Sequence, residues 1–246
     1  MNVYALQTAR AGSKSVPNKN IMNIKGKPLY LHNVQYALDS DLIKQVYVST
    51  DYESIHSDAD KYGYKTIRRP EELCQDNSSH RDTMLHGLLE IESTTGEQCD
   101  CLVVLFGNTL GARTIDLDNA INMMKNNKDL DSIQSVSEYT MFNPFRAFKV
   151  QEGLLTTVVE QSYIQENIKG KLPNDRNSAG KCYFMNGSFW IIRRQTIIDN
   201  DGLLPFPFLG KNIGAYIQDT MMELDAPWQI KFLESGLGYS SWPFKE

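Results

Sequence analysis

The stretch NVYALQTARAGSKSVPNKN, residues 2–20, decides the fold class of this chain. Its first six residues are rich in apolar and aromatic side chains, which predicts a short strand. The loop that follows combines two small residues with three cations: Gly12, Ser13, Arg10, Lys14 and Lys19. Ligands of open α/β sheets bind outside the carboxyl ends of the strands, and such a loop offers N–H, hydroxyl and cationic donors to an anion. The stretch therefore predicts an α/β sheet whose first strand ends in a phosphate-binding loop, although a solvated basic loop is the alternative.

Strand-like and helix-like segments alternate from residue 2 to about residue 138. The predicted strands are NVYALQ, QVYVST, YKTIRR, CLVVLF and SIQSVSE. Helical periodicity lies between them, in PLYLHNVQYALDS, YESIHSDADKYG, HRDTMLHGLLEIES and IDLDNAINMMKNN. A continuous apolar strand such as CLVVLF suits a parallel sheet that is covered on both faces. We therefore predict an α/β fold with a doubly wound, mostly parallel, Rossmann-like sheet.

The pattern changes after about residue 139. Residues 151–182 are polar and interrupted by Gly and Pro, which predicts an irregular or β-rich insertion. Beyond it, YFMNGSFWIIRR and IGAYI predict strands, and QTIIDN and PWQIKFLESGL predict helices. No linker or repeat separates these pieces, so we predict one domain over residues 1–246 that contains, roughly within residues 139–212, a lid or dimerisation insertion.

Composition excludes several classes of protein. The chain has 246 residues, 41% of them apolar, and a formal net charge of -5 without a long basic tract, which argues against nucleic-acid binding. No apolar segment approaches the roughly 18 residues of a membrane span, and no signal-peptide pattern begins the chain. The four cysteines lack zinc-site spacing. We expect a soluble cytoplasmic protein with reduced thiols, no membrane partner and no nucleic-acid partner.

Two carboxylates near the end of the chain are candidate metal ligands. Glu223 and Asp225 are two residues apart at the end of a predicted strand, so their side chains share a face. Two such carboxylates can bind Mg²⁺ beside substrate phosphates. The alternative is that Asp225 only begins the helix that follows, and Asp219 is a rival ligand. Elsewhere, Asp51 could cap the second helix or face a ligand, and we expect it to cap the helix.

Several motifs together resemble one family, the CMP-acylneuraminate (nonulosonate) cytidylyltransferases. ARAGSKSVPNKN keeps every fixed position of that family's nucleotide loop, A-R-x-G-S-K-x-x-P-x-K-N. The segments VSTD, RRPEEL, FNPFRAFK and NGSFWI follow in family-like order and spacing. This family activates sialic acid and the related legionaminic and pseudaminic acids for surface glycans. The resemblance implies one cytidylyltransferase domain, CTP and an acidic nine-carbon sugar as substrates, Mg²⁺ as cofactor and a homodimer.

The resemblance also implies roles for individual residues. CTP contacts fall on Arg10, Gly12, Ser13, Lys14, Lys19, Asn20, Arg69, Ser78 and Asn108. Sugar contacts fall on Arg146, Arg176, Asn186, Trp190 and Phe208. Lys19, Arg10 and Arg176 match catalytic positions. The metal falls on Glu223 and Asp225, or on Asp219 in another alignment register.

The chain departs from the family pattern in the loop after the fourth predicted strand. The family commonly has L-Q-P-T-S-P-L-R there, whereas this chain has FGNTLGAR, with Gly107 in place of the Gln. We expect Asn108 or backbone groups to make the contacts of that loop. Two alternative functions stay open: a cytidylyltransferase for the eight-carbon sugar Kdo, and a homologue that binds nucleotide or sugar without catalysis. The sequence does not identify which nonulosonate is the substrate.

Overall fold

The computed structural model describes residues 1–171, 174–175, 178–219 and 223–235. Its strands are β1 (Val3–Ala9), β2 (Asn23–Ile24), β3 (Lys27–Pro28), β4 (Val46–Thr50), β5 (Lys65–Arg68), β6 (Cys101–Phe106), β7 (Ser132–Glu138), β8 (Phe148–Gln151), β9 (Leu154–Thr157), β10 (Tyr183–Arg193) and β11 (Ile213–Gln218). Its α-helices are α1 (Leu29–Leu38), α2 (Glu53–Tyr62), α3 (His80–Thr95), α4 (Thr114–Asn126), α5 (Gln161–Asn167), α6 (Arg194–Asp199) and α7 (Gln229–Ser235).

Seven strands form the central sheet in the order β11-β7-β10-β6-β1-β4-β5. Among these described strands, β10 alone runs antiparallel to its neighbours, and the other pairs within the sheet are parallel. The predicted mostly parallel α/β sheet is therefore confirmed. The polar insertion contains the two-stranded hairpin β8–β9 and the short helix α5.

Alternation along β1 explains why helices cover both faces of the sheet. Val3 and Ala5 point into the apolar cluster that α1, α2 and α4 cover, whereas Tyr4 and Leu6 point into the opposite cluster, under α3 and α6. On α3, a Cβ at Gly87 would collide with the side chain of Leu6, so glycine allows this helix to pack closely on the strand. Because β4, β1 and β6 are adjacent and parallel, their carboxyl ends lie side by side at one edge of the sheet.

The helices of the described residues include none that is long and apolar enough to cross a membrane.

Stability should fall as the pH drops below about 6.5, because His32 on α1 is buried in its neutral form. Burial lowers the pKa of His32, nearby Lys27 and Lys25 lower it further, and a 2.9 Å hydrogen bond with the Ile24 carbonyl opposes them. Below the unfolded-state pKa of about 6.5, His32 binds a proton in the unfolded chain but stays neutral in the folded chain until the pH is lower, so protonation favours unfolding. We expect the urea-unfolding free energy of His32→Asn to depend less steeply on pH between about pH 7 and pH 5. A wild-type slope in that variant would contradict this, and His56→Asn on α2 is the control.

Candidate functional site

A cavity of about 470 Å³ opens at the carboxyl edge of the sheet. It lies beside the ends of β1 and β6 and the first half of β10, where sheets of this class bind ligands. The lining includes ten residues that the sequence marks as site candidates: Arg10, Ser13, Lys19, Asn20, Arg69, Ser78, Asn108, Trp190, Glu223 and Asp225. Residues from distant parts of the chain therefore converge on one site.

Hydrogen bonds hold the loop after β1 in place. The backbone N–H of Ala11 donates to Asp51 Oδ1 at 2.7 Å, and the Asn20 side chain donates to the Arg10 carbonyl at 2.8 Å. The expectation that Asp51 caps α2 is wrong, because the residue at the cap position is Tyr52 and no side chain there accepts a helix N–H. Asp51 instead fixes the loop, and Gly12 turns it with φ of 74°.

The three cations of this loop are each paired with a carboxylate. Arg10 Nη2 lies 2.8 Å from Asp76 Oδ1, and Lys14 Nζ lies 2.5 Å from Asp76 Oδ2. Lys19 Nζ donates to Asp225 Oδ1 at 2.6 Å. The loop therefore presents a concentrated positive charge, which two carboxylates of the same chain partly neutralise.

Arg69 is a rigid cation at the wall of the cavity. Its guanidinium donates to Ser49 Oγ at 3.1 Å and to the Ser49 carbonyl at 2.7 Å. Burial lowers its pKa to about 10, although the nearby Cys74 and Asp51 act in the opposite direction. Arg69 therefore remains charged at neutral pH. Ser78, from the polar run before α3, donates to the Glu72 carbonyl at 2.8 Å.

Aromatic rings close the other side of the cavity. The Trp190 ring lies 4.8 Å from Phe106 and 6.1 Å from His80, centroid to centroid, in edge-to-face arrangements. Burial, aided by the charges of Arg69 and Arg10, lowers the pKa of His80. The indole N–H of Trp190 is buried without a hydrogen-bond partner in the described structure, so a ligand acceptor at this wall would satisfy it.

The β6–α4 loop positions the acidic pair. Thr109 forms an isolated antiparallel bridge with Glu223, and the Leu224 N–H donates to the Asn108 carbonyl at 2.7 Å. The expectation that the pair ends a strand is wrong for the described residues, in which β11 ends at Gln218 and residues 223–225 contain only the single bridge at Glu223. The predicted shared face nevertheless holds: Leu224 is fully buried, whereas Glu223 and Asp225 line the cavity.

The two carboxylates perturb each other. Burial and the neighbouring Asp225 raise the pKa of Glu223 to about 7. Burial acts to raise the pKa of Asp225, but hydrogen bonds with Lys19 and Glu223 and the Lys19 charge bring it below its ordinary value. Asn108 Nδ2 also lies 3.3 Å from Asp225 Oδ1. Two crowded hard oxygen donors of this kind fit a divalent cation.

Other metal-ligand arrangements are not present in the described residues, which contain no group of three His, Cys, Asp or Glu side chains that could hold an ion. A cation on this pair would therefore complete its shell with substrate oxygens and water, as Mg²⁺ commonly does. The rival ligand, Asp219, follows β11, and its carbonyl accepts from Ser137 Oγ at 2.8 Å. Asp219 is not among the described residues that line the cavity.

The remaining candidates lie outside the cavity lining as described. Asn186 is buried and hydrogen-bonded to Ser135 and Ser137, and Phe208 packs on Trp190 with ring centroids 5.4 Å apart. Arg146 is exposed in the short 3-10 turn Pro144–Arg146. Arg176 lies outside the described residues. The roles that the resemblance implies for these residues stay predictions.

Sequence reasoning missed several lining residues: Thr8, Leu73, Gln75, Asp76, His80, Thr83, Phe106, Met185, Gly187 and Phe206. Asp76 lies in the polar run QDNSSH, residues 75–80, in which only Ser78 matches a position of the family's nucleotide site. Gly187 and Met185 reach the cavity because the pairing of β10 with β7 shifts register between Met185 and Trp190. Such a bulge re-aims side chains and leaves little signal in an otherwise continuous strand pattern.

Gly187→Ala should impair the site through the acidic pair. A Cβ at Gly187 would lie 3.1 Å from Glu223 Oε2, and the residue has φ of 70°. Gly153→Ala is the matched control, because Gly153 has φ of 80° and nothing lies within 4 Å of its would-be Cβ. Both variants should lose about 1–2 kcal/mol of stability by denaturant unfolding. Only Gly187→Ala should also weaken the binding of a divalent cation to the acidic pair in a Mn²⁺ titration, and equal cation affinity in both variants would contradict this reading.

An open α/β sheet whose first strand ends in a cationic loop, with an acidic pair in the same cavity, is typical of nucleotide-binding proteins of the nucleotidyltransferase class. The family model described as cytidylyltransferase matches residues 5–232. The chain belongs to the cytidylyltransferase family, which confirms the resemblance inferred from its motifs, the enzyme class and CTP as substrate.

Named relatives agree with this assignment. The chain is 31% identical over 232 residues to post-translational flagellin modification protein B of Campylobacter coli, covering 92% of this chain and 91% of that protein. It is 29% identical over 233 residues to CMP-N,N'-diacetyllegionaminic acid synthase of Campylobacter jejuni, with the same coverage of 92% and 91%. The solved structure of CMP:2-keto-3-deoxy-manno-octonic acid synthetase complexed with CTP shares the fold, with a TM-score of 0.68 and 16% identity over 96% of this chain and 98% of that one.

Proposed function

We propose that this chain transfers the cytidylyl group of CTP to a sialic-acid-like nonulosonate, which gives a CMP-sugar and pyrophosphate. The observation that carries the proposal is the contact between Lys19 and Asp225. These residues are 206 positions apart in sequence, yet Lys19 Nζ lies 2.6 Å from Asp225 Oδ1. This contact joins the nucleotide loop to the acidic pair in one cavity. The relatives named for flagellin modification and for legionaminate activation support a nonulosonate as the sugar.

In the proposed reaction, the anomeric hydroxyl of the sugar attacks the α-phosphorus of CTP. A new P–O bond forms to the sugar oxygen, which loses its proton to water. The bond from the α-phosphorus to the bridging β-phosphate oxygen breaks, and pyrophosphate leaves with that oxygen. Transfers of this type depend on positioning and charge stabilisation rather than on a covalent enzyme intermediate. Arg10, Lys14 and Lys19 would neutralise the triphosphate and the charge that grows on pyrophosphate. Asn20, which fixes the Arg10 backbone, keeps the loop in register.

Mg²⁺ is the proposed cofactor, held by Glu223 and Asp225. Burial, and after it the neighbouring Asp225, raises the pKa of Glu223, and a divalent cation there would offset both by favouring the ionised carboxylate. When bound, it would neutralise phosphate charge and lower the pKa of the attacking hydroxyl. Lys19 and Asn108, which both contact Asp225, orient that carboxylate toward the cavity.

The carboxylate of the sugar needs a cationic partner, for which an arginine guanidinium is well suited. Arg146 and Arg176 are the proposed partners. Because Arg146 is exposed outside the cavity, its contact would require closure of the insertion over the site or a second subunit. Trp190 offers the sugar an apolar wall and one unused N–H donor.

A pyrophosphate-release assay tests this function. CTP and Mg²⁺ would be incubated with N-acetylneuraminate, legionaminate, pseudaminate and Kdo in turn. We expect release with at least one nonulosonate and none with Kdo. Release with Kdo alone would favour the eight-carbon alternative, and tight CTP binding without release from any sugar would favour a homologue that binds without catalysis.

We also propose that the chain forms a homodimer through its insertion. The hairpin β8–β9 exposes apolar side chains, including Val150 at 73% and Leu154 at 72% exposure. Contiguous exposed apolar surface of this kind marks interaction sites. Leu154→Asp should therefore convert the dimer to a monomer in light scattering coupled to size exclusion. Lys65→Asp on the outer strand β5 is the control, and a monomeric wild type would contradict the proposal.

A further inference from the structure

Asp76 occupies a special position in the cavity. It lies between the 3-10 turn Glu71–Leu73 and α3, and its side chain lines the cavity with 44% exposure. Its two carboxylate oxygens contact different cations: Oδ1 lies 2.8 Å from Arg10 and Oδ2 lies 2.5 Å from Lys14. Hydrogen bonds from Lys14 and Arg10 lower the pKa of Asp76, so it is ionised at neutral pH.

We propose that Asp76 is an internal counter-ion that competes with the triphosphate for Arg10 and Lys14, and thereby sets the affinity of the site for CTP and pyrophosphate. The inference rests on the proposed function, because it takes these two cations as ligands of the phosphates. A carboxylate and a phosphate are like charges that need the same donors. A phosphate that binds Arg10 or Lys14 therefore weakens the ion pair between that cation and Asp76.

The phosphate-binding loop after β1 would keep its conformation if the Asp76 carboxylate moved away from Arg10 and Lys14. Arg10 also donates to the Cys74 carbonyl at 3.1 Å, so its guanidinium keeps one anchor when the carboxylate withdraws. Lys14 is 85% exposed, and its flexible side chain is free to follow a phosphate. Ala11, the next residue of the loop, is held independently by Asp51.

This competition has a functional consequence for product release. Pyrophosphate carries the phosphates that would contact Arg10 and Lys14, and the returning Asp76 carboxylate would displace it. CMP lacks the β- and γ-phosphates, so its binding should be insensitive to Asp76. The residue thus distinguishes the triphosphate substrate and pyrophosphate from a nucleoside monophosphate.

Calorimetric titration of Asp76→Asn with CTP, pyrophosphate and CMP tests the inference. We expect CTP and pyrophosphate to bind about 3- to 10-fold more tightly, the scale of one or two partly exposed ion pairs, and CMP to bind as in the wild type. Asp76→Ala, which removes the acceptors as well as the charge, should show the same direction. Glu97→Gln, which breaks an exposed pair with Lys44 near the opposite edge of the sheet, is the matched control and should change none of the three affinities.

Unchanged or weaker binding of CTP and pyrophosphate to both Asp76 variants would overturn the inference, as would equal tightening of CMP. Arg10→Ala separates this failure from failure of the proposed function. If Arg10→Ala binds CTP like the wild type, the proposal that the loop after β1 binds the triphosphate is wrong. If Arg10→Ala loses CTP affinity and the Asp76 variants do not gain it, only the role of Asp76 is wrong.

Discussion

Lys19→Ala is expected to lower the turnover of CMP-sugar formation by about two to three orders of magnitude, the cost of removing one preorganised charge-stabilising donor. Lys19 lies near the end of the loop that begins after β1, and its side chain is only 15% exposed. The 2.6 Å contact with Asp225 holds its ammonium where the triphosphate would lie beside the acidic pair. Steady-state pyrophosphate release at saturating CTP measures the effect.

The matched control for Lys19 is Lys44→Ala. Lys44 also pairs with a carboxylate, that of Glu97, but it precedes β4 at the opposite edge of the sheet from the cavity. Its loss should leave turnover within about twofold of wild type, since exposed ion pairs contribute little. Near wild-type turnover in Lys19→Ala would remove Lys19 from the catalytic machinery.

Asp225→Asn is expected to raise the Mg²⁺ concentration for half-maximal activity by about 10- to 100-fold or more. Losing a residue that only hydrogen-bonds to a metal ligand already weakens metal binding by this factor, and Asp225 is proposed to bind the metal itself. Asp225 accepts hydrogen bonds from Lys19 and Asn108, and its carboxyl group is hydrogen-bonded to that of Glu223. The substitution keeps the size and most hydrogen bonds of the side chain and removes the charge that a cation needs.

Asp219→Asn is the comparison that decides the ligand set. Asp219 stands six residues before Asp225 and is not among the described residues that line the cavity. Its variant should keep the wild-type Mg²⁺ dependence. Binding of Mn²⁺ in the presence of CTP, followed by electron paramagnetic resonance, supplies a readout apart from activity. Loss of Mn²⁺ binding in Asp219→Asn but not in Asp225→Asn would show that the other register is right.

Local pattern was sufficient to predict the sheet and its helices. The run CLVVLF became the central strand β6 because both of its faces are covered, and the alternation of strands and helices predicted the parallel pairs. The cationic loop was predicted for the same reason: in this architecture its position follows from the end of β1. These features depend on neighbours in sequence, which one chain displays directly.

Features of the site that depend on contacts between distant residues could not be predicted from the sequence. Glu223 and Asp225 face one way because Leu224 is buried and hydrogen-bonded to the loop after β6, and residue spacing alone suggested a strand end instead. Asp51 accepts from Ala11 rather than capping α2 because the loop folds back over the end of β4. The pairing of Asp76 with two cations likewise depends on a contact across 66 residues.

The central claim is that this cavity holds CTP and a divalent cation together. A crystal structure with CTP and Mg²⁺ tests it most directly. We expect the triphosphate on the loop from Arg10 to Asn20, with Lys19 on its phosphates and the cation between them and Glu223 and Asp225. A nucleotide bound elsewhere on the protein, or a cation that bypasses both carboxylates, would contradict the account.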